Sequence, residues 1–293
     1  MDARDRQLAG IITAMDSATL FHIAFYKFAH VADVPAAAQC LREITEGLTG
    51  SILIADEGIN GMMAGSAEQM DGFEADLQTH VGLGGAENGI FKGIVFKRTA
   101  CITVPFKRMK IHMKREIVPL GIEGVDAAGR MDDIVRSNVA PAQWRELIKQ
   151  PDVVLLDNRN SFEYKLGQFD GAIDPGVVNF RDFPEYVKAH AAQWKAENKK
   201  VAMYCTGGIR CEKSSVWMQD LGLDVYQLEG GILNYFKEMP DADLDWQGEC
   251  FVFDSRVALD THLQETPTTV EQVYQDAPDG VWRLNRAKRL DAA

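Results

Sequence analysis

A short apolar strand, Val201-Ala202-Met203-Tyr204, stops at Cys205, turns through Thr206-Gly207-Gly208-Ile209-Arg210, and leads into a helix-compatible stretch from Cys211 to Asp220. A strand that turns this tightly into a helix belongs to a layered α/β unit, and upstream and downstream segments alternate in the same way. Parallel pairing of the strands follows from that alternation.

The residue types in the turn fit a reactive sulfur. Backbone N–H groups freed by a glycine-rich turn, together with a helix N-terminus, make a partly positive cradle for a thiolate or an anion. Arg210 adds a charge that does not titrate, so Cys205 is expected to ionise more readily than a free thiol and to be reachable from solvent. The bland alternative is a buried small residue beside a common turn. The combination of strand, cysteine, paired glycines, arginine and helix favours the nucleophile.

The loop from Cys205 to Arg210 resembles that of rhodanese domains, where the active cysteine and a closing arginine are the two ends of a six-residue loop, Cys-x4-Arg. The related tyrosine phosphatases use a Cys-x5-Arg loop, one residue longer. The likeness extends upstream through Val153–Asp157, Asn158, Arg159, Glu163, Tyr164 and Gly167–Ile173, and downstream through Tyr226–Ile232. Gln168 stands where that pattern usually has histidine.

The longer run Cys-Thr-Gly-Gly-Ile-Arg-Cys-Glu-Lys is similar to one subfamily, the tRNA uridine hydroxylases, which convert wobble uridine to 5-hydroxyuridine in an oxygen-dependent reaction. Other marks of that family are Asp56-Glu57-Gly58-Ile59-Asn60-Gly61, Pro105–Lys110, Lys114–Val118 and Gly248–Asp254. The resemblance covers the chain to about Leu259. It implies tRNA, through its anticodon loop, as partner and molecular oxygen as co-substrate, with no bound cofactor and an electron donor left open. A sulfurtransferase acting on thiosulfate through a Cys205 persulfide is the alternative, and a noncatalytic rhodanese-like module is disfavoured because Cys205 and Arg210 are both present.

With 293 residues, 46% of them apolar, the chain can bury a sizeable core in two domains. No apolar run is long enough to span a bilayer and residues 1–20 lack a signal-peptide pattern, so the expectation is a cytoplasmic protein without membrane association. Five cysteines without a Cys-x-x-Cys pair, and scattered histidines, argue against a metal site and a disulfide framework. Oligomeric state is not legible.

Residues 1–118 read as a ferredoxin-like, acylphosphatase-like βαββαβ domain, with strands near 21–28, 51–55, 61–64 and 94–103 and helices near 35–48 and 66–80. Residues 119–137, rich in Gly, Asp and Ala, read as a linker. A rhodanese-like α/β domain occupies 138–245, with a helix over 184–198, and a C-terminal extension occupies 246–293. The end of that extension, Arg283–Arg289, reads as a frayed solvated terminus or as a second RNA contact.

Between Lys92 and Arg115 there are eight Lys or Arg residues and no acid, in a chain of net charge −12. Arg108, Lys110, His112 and Lys114 alternate with Met109, Ile111 and Met113 as in a strand with one polar face. Lys107, Arg108, Lys110, Lys114 and Arg115 are therefore candidate phosphate contacts, or else charges that keep a sheet edge solvated.

Around Cys205, the loop residues Thr206, Gly207, Gly208, Ile209 and Arg210 form the cradle, and Asp157, Arg159 and Glu163 either brace it as ion pairs or are ordinary strand-end pairs. Cys211 reads as a resolving thiol or as packing in the first helical turn. Cys205 can act as a thiolate adding to C6 of the uracil ring, or as a persulfide. Phe169, Phe180, Phe183 and Tyr204 are near the loop in sequence, as core residues or as stacking platforms for a base.

Overall fold

The computed structural model describes residues 20–292. The chain divides into two compact units between Ile117 and Val118. In the first, strands β1 (Leu20–Phe28), β2 (Thr49–Ala55), β3 (Gly58–Gly65), β4 (Val95–Cys101) and β5 (Met109–Met113) form one sheet in the order β4-β1-β3-β2-β5. Neighbours among β4, β1, β3 and β2 pair antiparallel, and β5 joins β2 in parallel. This is the expected βαββαβ arrangement with one edge strand added.

Two helices complete it. In α1 (Val34–Ile44) the Asp33 side chain accepts from the Ala36 N–H, and Pro35 fits the first turn because its missing donor is not needed there. Helix α2 (Ala67–Thr79) starts in a reciprocal box between Ser66 and Gln69. Their buried residues, Ala38 and Leu41 from α1 and Met70, Phe73 and Leu77 from α2, pack with Ile23, Phe25, Ile52, Ile54 and Met63 of the sheet. The Asp-Glu-Gly-Ile-Asn segment has a local purpose: Glu57 accepts from the Ile117 N–H at 2.7 Å and Asn60 donates to the Ile117 carbonyl at 3.1 Å. It fixes the chain where it leaves this unit.

The second unit holds four parallel strands, β6 (Asn138–Val139), β7 (Val153–Asp157), β9 (Lys200–Tyr204) and β10 (Asp224–Leu228), ordered β6-β10-β9-β7. Helices α4 (Pro141–Leu147), α5 (Ser161–Leu166), α6 (Phe183–Ala196), α7 (Ile209–Asp220) and α8 (Gly231–Glu238) alternate with them. Short strands β8 (Gly167–Phe169) and β11 (Trp246–Gly248) pair antiparallel, as do β12 (Cys250–Phe251) and β13 (Ala258–Leu259). Phe169 sits at the centre of the core, with Tyr204, Tyr235 and Trp246 set edge-on around it at 4.9–5.1 Å. Phe180 and Phe183 are buried too. All four aromatic residues near the loop in sequence are therefore core, and none is a platform.

Two expectations are corrected. Residues 119–137 are not a bare linker: they contain α3 (Met131–Ser137), whose Ile134 and Ser137 are buried, and the Gln227 side chain donates to the Ile134 carbonyl and the Ser137 hydroxyl. A helix of only seven residues, anchored by a side chain from a distant strand, leaves little periodicity to read. The C-terminal extension is not frayed over its described part, which carries α9 (Val270–Tyr274) and α10 (Gly280–Ala292). Arg283 anchors α10, with its guanidinium 4.6 Å from the Phe162 ring centre and a 2.7 Å hydrogen bond to the Val178 carbonyl. Among the described residues no helix is long and apolar enough to cross a membrane.

Candidate active site

Cys205 follows the last residue of β9, and Gly208 opens α7 with φ 103°, a conformation that glycine alone adopts without strain. The turn folds the backbone back on the sulfur: the Gly208 N–H donates to Sγ at 3.1 Å. The carbonyls of Cys205 and Thr206 point the other way, accepting from the Ile232 and Leu233 N–H groups at 3.0 and 3.2 Å. That approach leaves no room beside Gly231, where a Cβ would come within 2.5–2.8 Å of Cys205 O, Thr206 O and Gly208 N. The Glu-Gly-Gly stretch before α8 is thus the outer wall of the cysteine loop.

Arg210 turns its guanidinium onto Glu163, with Nη1 and Nη2 each 2.8 Å from a carboxylate oxygen, and Nη2 also reaches Thr206 Oγ1 at 3.3 Å. Glu163 is fully buried at the start of α5, where its other task is to accept from the Asn160 N–H. Burial alone would raise its carboxyl, but Arg210 outweighs burial and holds it below the usual carboxylate range. Beside it, Arg159 is fully buried, paired with Asp157 at 2.6 Å, bonded to the Gly167 carbonyl and set against both the Tyr204 and Trp246 rings. The structure thus puts Glu163 on the cysteine loop itself, and Asp157 with Arg159 one layer behind.

The electrostatics of the two neighbouring cysteines diverge. Burial would push the Cys205 thiol up, but hydrogen bonds from the Cys211 S–H and N–H, the Arg210 charge and the Gly208 N–H bring it down to about 5. Cys211 moves the opposite way: burial raises it, and so does donating to the Cys205 sulfur. Asn158 contacts Cys211 Sγ at 3.6 Å from the side of β7. One sulfur of the pair is held anionic and the other protonated at neutral pH. Cys250, also buried, is pushed up to about 12 and has no such activation.

One expectation fails here. Cys205 has no exposed surface; around it Thr206, Gly207 and Ile209 are half-buried, while Gly208 and Arg210 are buried. The same inward turn that aims N–H groups at the sulfur also seals it.

In the first unit, β5 lies at the sheet edge; Met109 and Ile111 pack toward the core, while Lys107, Arg108, Lys114 and Arg115 are exposed and Lys110 is half-buried. The polar and apolar faces read from the alternation are those of the strand, apart from Met113, which is exposed. Other basic residues of the stretch are engaged locally: Arg98 pairs with Asp71 and stacks on Phe21, and Lys97 lies over Tyr26. Among the described residues no cluster of His, Cys, Asp and Glu could hold a metal ion.

The site residue that the sequence did not single out is Phe253. Its segment was recognised, but nothing in its pattern marks this ring as exposed and set against Arg210, 5.9 Å from the guanidinium carbon.

Comparison with known proteins agrees with this division. A profile described as the UPF0176 acylphosphatase-like domain matches residues 21–117, and the rhodanese-like domain profile matches residues 140–238. The chain is 43% identical over 248 residues to a tRNA uridine(34) hydroxylase of Mesorhizobium japonicum, covering 83% of this chain and 75% of that protein. It is 40% identical over 255 residues to the enzyme of that name from Legionella pneumophila, covering 86% of this chain and 95% of the relative. A third, from Teredinibacter turnerae, is 41% identical over 245 residues, covering 83% and 72%. Identity at this level across both units makes the assignment plain: the chain belongs to the tRNA uridine(34) hydroxylase family.

Proposed function

We propose that this chain hydroxylates C5 of the wobble uridine in tRNA, giving 5-hydroxyuridine, with Cys205 as the nucleophile and molecular oxygen as co-substrate. Kinship with the hydroxylases supports the reaction, and the observation that carries the role of Cys205 is its sulfur, ringed by the Gly208 N–H, the Cys211 donors and the Arg210 charge. Thr206, Gly207, Gly208, Ile209 and Arg210 form the cradle; Glu163 positions Arg210, and Asp157 with Arg159 supports it from behind. A tRNA substrate supports a cytoplasmic location for the reaction.

A balanced sequence follows from these groups. Once the loop opens to admit the base, Sγ of Cys205 adds to C6 of the uracil, and the displaced electron pair becomes an enolate spread over C5 and O4. C5 takes up dioxygen as a hydroperoxide, which loses water with the C5 proton and leaves a carbonyl at C5. Cys211, already hydrogen-bonded to the Cys205 sulfur, attacks that sulfur. The C6–S bond breaks, a Cys205–Cys211 disulfide forms, and the electron pair returns to the ring as the enolate of 5-hydroxyuridine, which takes a proton. The sum is uridine, dioxygen and two thiols giving 5-hydroxyuridine, water and a disulfide, which a thiol reductant then reopens. Sulfane-sulfur transfer could use the same loop, but it gives no role to the N-terminal unit or to the basic strip on β5.

The test is nucleoside mass spectrometry of tRNA from cells lacking the protein, complemented with wild type or Cys205→Ser. Restoration of 5-hydroxyuridine by wild type alone is expected; restoration by the serine variant overturns the role of Cys205.

A further inference from the structure

After β11, Phe251, Val252, Arg256 and Val257 are buried at 3–9% exposure, and the turn between them surfaces: Phe253 is 48% exposed and Ser255 is exposed beside it. A single exposed aromatic ring is ordinary on a protein surface. This one is held from behind and set against the cysteine loop. Its ring meets Phe251 edge-on at 5.0 Å, and Phe251 meets Phe162 edge-on at 5.1 Å. Phe162 immediately precedes Glu163, the partner of Arg210, so one aromatic ladder ties the exposed ring to the helix that anchors the loop. On the loop side, the Arg210 guanidinium carbon lies 5.9 Å from the Phe253 ring centre.

The turn that presents the ring is fixed at a cost. Arg256 grips Asp254 through its backbone N–H, Nε and Nη2 at 2.7–3.0 Å, and the pair is almost fully buried. Val257 takes φ 63°, a left-handed conformation that a β-branched residue adopts only when its surroundings enforce it. Burial of a neighbouring core does not require residue 253 to be a flat, half-exposed ring. Stacking of a planar ligand does.

We propose that Phe253 is a base-stacking subsite at the rim of the Cys205 loop, and that its occupant is an unpaired pyrimidine of the anticodon loop, held against the ring beside Arg210. The inference rests on the function proposed above. Stacking on a phenyl face tolerates any base, so the subsite captures and orients the target base rather than choosing among tRNAs. Phe253 is a positioning residue for a sulfur that is itself sealed in the free protein.

The experiment measures binding of the full chain to two synthetic anticodon stem-loops, one with uridine at the wobble position and one abasic there. Wild type is expected to bind the abasic stem-loop about tenfold more weakly, the usual scale for one base stacked on an aromatic side chain. Phe253→Leu keeps the bulk without the flat face; it is expected to bind the uridine stem-loop about tenfold more weakly and to lose nothing further when the base is removed. Phe253→Tyr should behave as wild type. Thermal melting checks that each variant is folded. Wild type that does not distinguish the two stem-loops, or a folded Phe253→Leu that still does, overturns the subsite. The readout needs no turnover, so a wild type that binds with this discrimination but yields no 5-hydroxyuridine counts against the function and leaves the subsite standing.

Discussion

At the scale of residues, the Cys205 sulfur has no exposed surface and is nonetheless held ionised. Burial normally favours the neutral thiol, and here several donors reverse it because the turn aims them all at one atom. The ultraviolet thiolate absorbance of wild type minus Cys205→Ser is therefore expected to titrate with a midpoint near pH 5. A midpoint near the free-cysteine value of about 8.5 would reject the activated thiolate. The sign for stability follows. The folded value lies below the unfolded one, so the ionised form stabilises the fold fully above about pH 8.5, and the contribution drains away as pH falls toward the folded value. Denaturant melts of wild type and Cys205→Ser should accordingly diverge from pH 5 upward. The loop was legible in the sequence because glycine and arginine at that spacing have few other uses. The burial of the sulfur was not, since the loop is held in its inward turn from behind by the Gly231 backbone packed against the Cys205 and Thr206 carbonyls, a contact between segments far apart in the chain.

At the scale of elements, β5 is an edge strand with one face on the core and one face rich in positive charge. The edge-protection reading and the RNA reading differ in salt dependence. Charge reversal at Lys107, Arg108 and Lys110 is expected to weaken tRNA binding and to flatten the plot of log affinity against log salt by about one unit for each phosphate contact removed. Filter binding over a salt series reads both, and an unchanged slope would leave these residues as edge protection. Periodicity revealed β5 and the helices with long amphipathic faces, such as α2 with Met70, Phe73 and Leu77 inward. It missed α3 and the docking of α10, whose positions depend on Gln227 and on the Arg283–Phe162 contact rather than on their own pattern. Phe253 escaped for the same reason: exposure of one ring in an apolar run is decided by the Asp254–Arg256 grip and the strained Val257, neither of which has a periodic signature.

At the scale of the whole molecule, the chain joins a ferredoxin-like unit bearing a basic edge to a rhodanese-like unit bearing an activated cysteine, in a protein whose net charge of −12 disfavours indiscriminate contact with nucleic acid. Local positive charge in an acidic protein suits a substrate that must be bound and then released. The proposed reaction draws its oxygen atom from dioxygen and two electrons from the Cys205–Cys211 pair, so the isotope in the product reports the chemistry directly. Purified full-length protein, unmodified tRNA and a thiol reductant under ¹⁸O₂ should give 5-hydroxyuridine carrying one ¹⁸O with wild type and no product with Cys205→Ser. Product carrying oxygen from water, or equal product from the serine variant, would contradict the account.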